Sequence, residues 1–167
     1  MNKVVVIGNA GGGKTTLSRA VSQKYDLPHL TVDHILWRPG WTRVSDSDYA
    51  EKHEAWLNEE RWLIDGVGPW IEIERRLVLA DTIILVDLPI YIHFWWAVKR
   101  QLKSILGRNV HAPDGCDMWR ASLKLFPMMW DLHRFTRPKM ISAIASRQST
   151  ARVIVLRSPK SIKQFTA

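Results

Sequence analysis

The chain has 167 residues with 46% hydrophobic and 24% charged content, enough for one domain with a sizeable core, and a single cysteine, Cys116, which excludes an internal disulfide framework. Its net charge of +8 is unevenly placed: residues 1–90 balance at −3 and residues 91–167 at +11, which calls for an anionic partner on the C-terminal half. Nucleotide phosphates would suffice. Nucleic acid is the other candidate, but no helix-turn-helix, zinc-finger or RNA-binding signature accompanies the charge.

Val4-Val5-Val6-Ile7 is a β-branched run that reads as a strand buried on both faces. Directly after it, Gly8-Asn9-Ala10-Gly11-Gly12-Gly13-Lys14-Thr15 fits G-x-x-x-x-G-K-[ST] at every fixed position, and Thr16 to Val21 continues as a helix. Strand, glycine loop and helix form the context that makes this pattern a phosphate site. Glycines let backbone N–H groups approach phosphate oxygens without a Cβ in the way, and the helix start adds free N–H groups and a positive dipole end. Lys14 can reach the β- and γ-phosphates, and the Thr15 hydroxyl can ligate Mg²⁺. ATP and Mg²⁺ are therefore the expected ligands, held by residues Gly8, Asn9, Ala10, Gly11, Gly12, Gly13, Lys14, Thr15 and Thr16.

Further along, His29 to Val32 reads as a second strand closing at Asp33, and Trp37 to Trp41 as a loop around Pro39-Gly40. Ser45-Asp46-Ser47-Asp48 opens a helix through about Glu60, with Tyr49, His53, Trp56 and Leu57 at helical spacing. Arg61 to Gly66 is a third strand, Pro69 to Leu79 a short helix, Thr82 to Asp87 a fourth strand and Ile90 to Leu106 a long helix. Gly107 to Cys116 reads as a mobile loop. Met118 to Ser146 is helical, with Pro127 and Pro138 expected to bend or split it. Arg152 to Leu156 is the fifth strand, and Ser158-Pro159 starts a final helical turn.

Short apolar strands alternating with helices predict a three-layer αβα domain: a five-stranded parallel sheet with a helical lid region near residues 100–120. Ligands in such sheets sit at the carboxyl ends of the strands, where Asp33, Asp65 and Asp87 all fall. Each acid has a plainer reading as a turn or cap residue. Trp56, Trp62, Trp95, Trp96 and Trp130 fit core packing, whereas Trp37 and Trp41 are placed to wall an acceptor site. The histidines show no metal-ligand spacing, so no structural metal is expected. Thr82 to Val98 is broken by Asp87, Pro89 and His93, so it is read as strand plus helix and not as a membrane span. A cytoplasmic protein is expected.

With these residues in view, the chain resembles the P-loop kinase group that includes adenylate and shikimate kinases. More closely, it is similar to small bacterial adenylate-kinase-related proteins of the DNA topology modulation (FlaR-like) family. The likeness runs through Gly8–Thr15, Thr31-Val32-Asp33 followed by Trp37, Trp62-Leu63-Ile64-Asp65-Gly66, Arg76-Leu77, Ala80 to Pro89, Gly107-Arg108, Gly115-Cys116 and the terminal strand. It implies ATP-dependent phosphoryl transfer. Asp33 would orient an acceptor hydroxyl or a metal-bound water, Asp65 would hold a Mg²⁺ water (with Asp87 as a second candidate), and Arg76 would face the acceptor anion. Arg100 and Arg108 would neutralise charge from the lid. Close relatives carry Asp-Gly-Asn-Tyr, and adenylate kinases Asp-Gly-Phe-Pro-Arg, where this chain has Asp65-Gly66-Val67-Gly68. The missing arginine argues against plain AMP as the acceptor. The competing reading is a nucleotide-dependent regulator that contacts DNA through its basic half. A GTPase is disfavoured because neither D-x-x-G nor N-K-x-D is present.

Overall fold

The β-branched, apolar segments form a five-stranded parallel sheet whose three central strands are buried on both faces and present alternate residues to two separate cores, while its two edge strands are only partly buried. The structure, a computed structural model, describes residues 1–105 and 118–166. The sheet comprises β1 (Lys3–Gly8), β2 (His29–Thr31), β5 (Trp62–Asp65), β6 (Thr82–Val86) and β7 (Arg152–Leu156), in the order β2-β5-β1-β6-β7. Between them run α1 (Lys14–Tyr25), α2 (Val32–Leu36), α3 (Asp46–Leu57), α4 (Trp70–Leu79), α5 (Ile90–Ile105), α6 (Met118–Asp131), α7 (Arg137–Ala145) and α8 (Pro159–Thr166).

Val5, Ile7, Trp62, Ile64, Ile83 and Leu85 face one core, closed by Tyr49 and Leu57 of α3, Ile73 and Leu77 of α4, and Met140 and Ile144 of α7. Val4, Val6, Leu63, Ile84 and Val86 face the other, closed by Leu17 and Val21 of α1 with Ile162 and Phe165 of α8. The period-two split of each strand thus fixes which helices cover which face. A third, smaller cluster joins Ala97 of α5 to Leu125 and Met129 of α6, against Ala10 of the glycine loop.

Four local expectations change. Val32 and Asp33 do not extend β2 but form the first turn of α2, since the buried Val32, Ile35 and Leu36 follow helical spacing. The loop expected at Trp37–Trp41 is an antiparallel pair, β3 (Trp37–Arg38) with β4 (Thr42–Arg43), joined by a tight turn at Pro39–Trp41 in which Gly40 has φ 75°. The helical run after Met118 divides at a π-helical segment, Leu132–Thr136, and Pro138 sits in the first turn of α7, where its missing N–H costs nothing. Pro127 lies within α6 without ending it. Finally, Trp62 is fully buried and Trp56 and Trp96 half-buried, but Trp95 and Trp130 lie on outward helix faces, 56% and 48% exposed. The expected loop 107–116 lies outside the described residues. No described helix is long and apolar enough to cross a membrane.

Candidate phosphoryl-transfer site

β1 delivers the glycine loop to the C-terminal edge of the sheet, and α1 starts at Lys14. Gly11 and Gly13 adopt left-handed φ of 70° and 74°, which glycine takes without the cost of a Cβ. Gly13 is the N-cap of α1 and provides no side-chain cap, so the first N–H groups of the helix remain available to an anion. Lys14 Nζ donates to the Asn9 carbonyl at 2.8 Å. Burial lowers the pKa of this ammonium, and Asp65 and Asp33 oppose the shift. Thr16 is exposed on the first turn of α1.

The loop is braced from behind by α5 and α6. Asn9 ties the loop to α6: its Nδ2 donates to Met129 O at 2.8 Å while its Oδ1 accepts from Ala10 N at 2.7 Å. His93 Nδ1 lies 3.0 Å from Ala10 O, and its ring would collide with a Cβ on Gly12 at 2.7 Å. Trp96 packs in the same way behind Gly13. Burial holds the His93 imidazole down to a pKa of about 4, so it is neutral near pH 7.

Asp65 ends β5 opposite Val6 of β1 and Thr31 of β2, and is 1% exposed. Burial alone would raise its pKa. His29, Lys14 and the Thr15 hydroxyl together outweigh that and hold the carboxyl below its usual value. His29 Nε2 stands 3.3 Å from Oδ2, and among the described residues neither buried carboxylate oxygen has a well-formed hydrogen bond. Asp33, in the first turn of α2, exposes its own surface to solvent but is crowded by surrounding protein. That crowding raises its pKa, with Lys14 pulling it back down. Arg100 of α5 is half-buried; burial lowers its pKa, and Asp33 counters the shift. Lys14, Asp33, Asp65 and Arg100 therefore form one electrostatically coupled group.

Other described residues singled out by the sequence spend their bonds elsewhere, although Arg76 also interacts electrostatically with Asp65. Arg76 is fully buried, and its guanidinium donates to Val67 O at 2.8 Å, Gly66 O at 3.3 Å and Glu72 O at 3.4 Å. Its donors hold the loop that follows β5. Asp87 is bound by both nitrogen arms of Arg137, Nε to Oδ1 at 2.6 Å and Nη2 to Oδ2 at 2.9 Å, which pins α7 to the end of β6. Trp37 is half-buried against the core and meets Trp41 edge-on with ring centroids 5.7 Å apart. Arg108 lies outside the described residues.

His29, His93 and the Asn9–Met129 bond carried no signal in the sequence. A lone histidine and a loop asparagine become informative only once the fold sets a buried carboxylate or a helix carbonyl beside them.

The arrangement fits a magnesium nucleotide. Uncapped N–H groups and positive-φ glycines form a cradle, and a buried carboxylate with incomplete hydrogen bonding adjoins a threonine hydroxyl. In such a site Thr15 would be the direct ligand and Asp65 would act through water.

No protein-family model matches the chain, and no curated protein sequence matches it. Solved structures do. Shikimate kinase from Acinetobacter baumannii, in complex with shikimate, aligns with a TM-score of 0.60 at 13% identity, over 99% of this chain and 89% of that one. A gluconokinase from Sinorhizobium meliloti 1021 gives 0.55 at 11% identity, over 99% and 87%. Shikimate kinase from Bacteroides thetaiotaomicron gives 0.53 at 13% identity, over 98% and 93%. This chain has the three-layer αβα fold of the P-loop kinases.

Proposed function

We propose that the protein is a small-molecule or nucleotide kinase that moves the ATP γ-phosphoryl group to an acceptor hydroxyl. The observation that carries this reading is the convergence of Lys14, Asp33, Asp65 and Arg100 at one mouth of the sheet, beside an uncapped helix start. Phosphoryl transfer needs little covalent work from a protein; it needs positioning and charge stabilisation, and these four residues supply both signs of charge.

MgATP, when bound, supplies the phosphoryl group and the divalent charge. Lys14 would exchange the Asn9 carbonyl for phosphate oxygens, which the free N–H groups of α1 would orient. Thr15 and Asp65 would hold the metal and its water. Asp33, whose raised pKa favours taking up a proton, orients the acceptor hydroxyl and accepts its proton. Arg100 offsets negative charge on the transferring group, with Arg108 as a second lid arginine. Trp37 forms part of the acceptor wall. Arg76 serves the acceptor indirectly, by shaping the Gly66–Gly68 loop through its carbonyl bonds.

A second reading is supported by the charge asymmetry: a nucleotide-dependent, DNA-associated regulator, in keeping with the sequence likeness to topology modulation proteins. The deciding experiment follows ADP release from MgATP with nucleoside monophosphates, nucleosides and small hydroxy acids, alongside Lys14→Ala. Acceptor-stimulated turnover that falls at least ~100-fold in the variant is the expected result. MgATP binding that no acceptor converts to turnover would favour the regulator. A Lys14→Ala protein that binds MgATP as tightly as the parent would overturn both.

A further inference from the structure

Asp65 is a buried carboxylate that needs a donor from its own side of the sheet. Lys14 Nζ is engaged by the Asn9 carbonyl, and Thr15 approaches from the loop. The remaining donor comes from the edge strand β2. Pairing sets Thr31 opposite Asp65 and His29 opposite Leu63, two residues upstream, so His29, Thr31 and Asp65 share a face of the sheet. The imidazole is long enough to span the offset: Nε2 lies 3.3 Å from Asp65 Oδ2 and 3.4 Å from Thr31 Oγ1. Both partners are withdrawn from solvent, with side chains 16% and 1% exposed.

We propose that His29 is a positioning residue for the metal-water site. Its Nε2, 3.3 Å from Asp65 Oδ2, orients that oxygen, so that Oδ1 would face a Mg²⁺-bound water beside the Thr15 hydroxyl. The inference rests on the MgATP site proposed above. Metal sites depend on groups that orient their ligands, and removing such a group typically costs 10–100-fold in metal affinity. Without the imidazole, the Thr31 hydroxyl is the polar side chain left across from Asp65 on β2, and a buried carboxylate that loses a donor loses its fixed orientation. His29 touches neither phosphate nor metal; it acts through Asp65.

The test is calorimetric binding of ATP by the full chain, in EDTA and across a Mg²⁺ titration, for the parent, His29→Ala and His29→Gln. Metal-free ATP binding should be the same in all three. The Mg²⁺ concentration giving half of the metal-dependent gain should rise about 10–100-fold in His29→Ala. His29→Gln, whose amide also carries N–H donors, should recover most of that loss. If the alanine variant does not fold, His29→Asn, too short to reach Oδ2, takes its place with the same expected shift.

An unchanged Mg²⁺ midpoint in His29→Ala would overturn the role of His29 and leave the kinase reading standing. Equal weakening with and without metal would reduce His29 to a structural residue. A folded His29→Gln as poor as alanine would remove the donor role. A parent protein with no metal-dependent gain at all would overturn both this inference and the site on which it rests.

Discussion

His93 shows how one side chain behind the glycine loop ties the site to the stability of the molecule. Its folded pKa of about 4 lies below the 6.5 of a free imidazole because burial disfavours the cation. Between these values the unfolded chain binds more protons than the folded one, so this contribution to stability is complete above pH 6.5 and is lost as pH falls towards 4. Urea unfolding of the parent should therefore weaken over that interval, by an amount on the order of a few kcal/mol, and His93→Gln should show a shallower slope. A variant with the parent's pH slope would mean that other groups carry it. At the same scale, Lys14 and Thr15 were legible from sequence because their chemistry is set by chain neighbours. Arg100 was singled out only through the family resemblance, as a lid arginine, and its relation to Asp33 and Lys14 comes from the fold. Arg76 illustrates the converse: its charge suggested an anion, yet its donors are spent on the carbonyls of a nearby loop.

At the level of elements, β1 and β6 meet so closely that side chains cannot intrude. A Cβ on Gly8 would sit 2.3 Å from the Val86 carbonyl oxygen, at a φ of +149° that L-residues rarely adopt. Gly8→Ala should therefore destabilise the fold by at least about 2 kcal/mol and disturb the register that aims the loop, measurable by thermal melting. Parent-like stability would show that the two strands can part without cost. Helix α3 began where its cap cluster indicated, because Ser45 accepts from Asp48 N at 3.0 Å, a strictly local bond. Strand β2 ended earlier than the apolar pattern suggested. Val32 is buried either way; the helical turn that carries Asp33 buries Ile35 and Leu36 with it and sets Val32 against the Gly66–Gly68 loop. The join between α6 and α7 was half legible: a proline marks a break, but whether it falls inside a helix or opens the next one depends on what the helix packs against.

For the whole molecule, the imbalance between a −3 first part and a +11 second part is a property of sequence, of which the fold pairs some, Arg137 with Asp87 among them. If the basic half serves DNA, duplex binding should fall steeply with salt, by roughly 10³–10⁵ between 50 and 200 mM for six to ten phosphate contacts. A shallow slope or no binding would confine the role of the charge to the nucleotide. By itself, the sequence determined the phosphate loop, the parallel αβα architecture and the approximate place of nearly every element. Glycine spacing, β-branched runs and caps act between near neighbours in the chain, so their consequences can be read there. Tertiary structure alone decided which acid is tied up and which keeps an incompletely bonded carboxylate: Arg137 reaches Asp87 across 50 residues, while His29 meets Asp65 through β-sheet pairing. It also set Arg100 towards Asp33 and fastened Asn9 to α6. These pairings join residues far apart in the chain, and the sheet order that brings them together is settled by packing across both cores, which local composition does not encode.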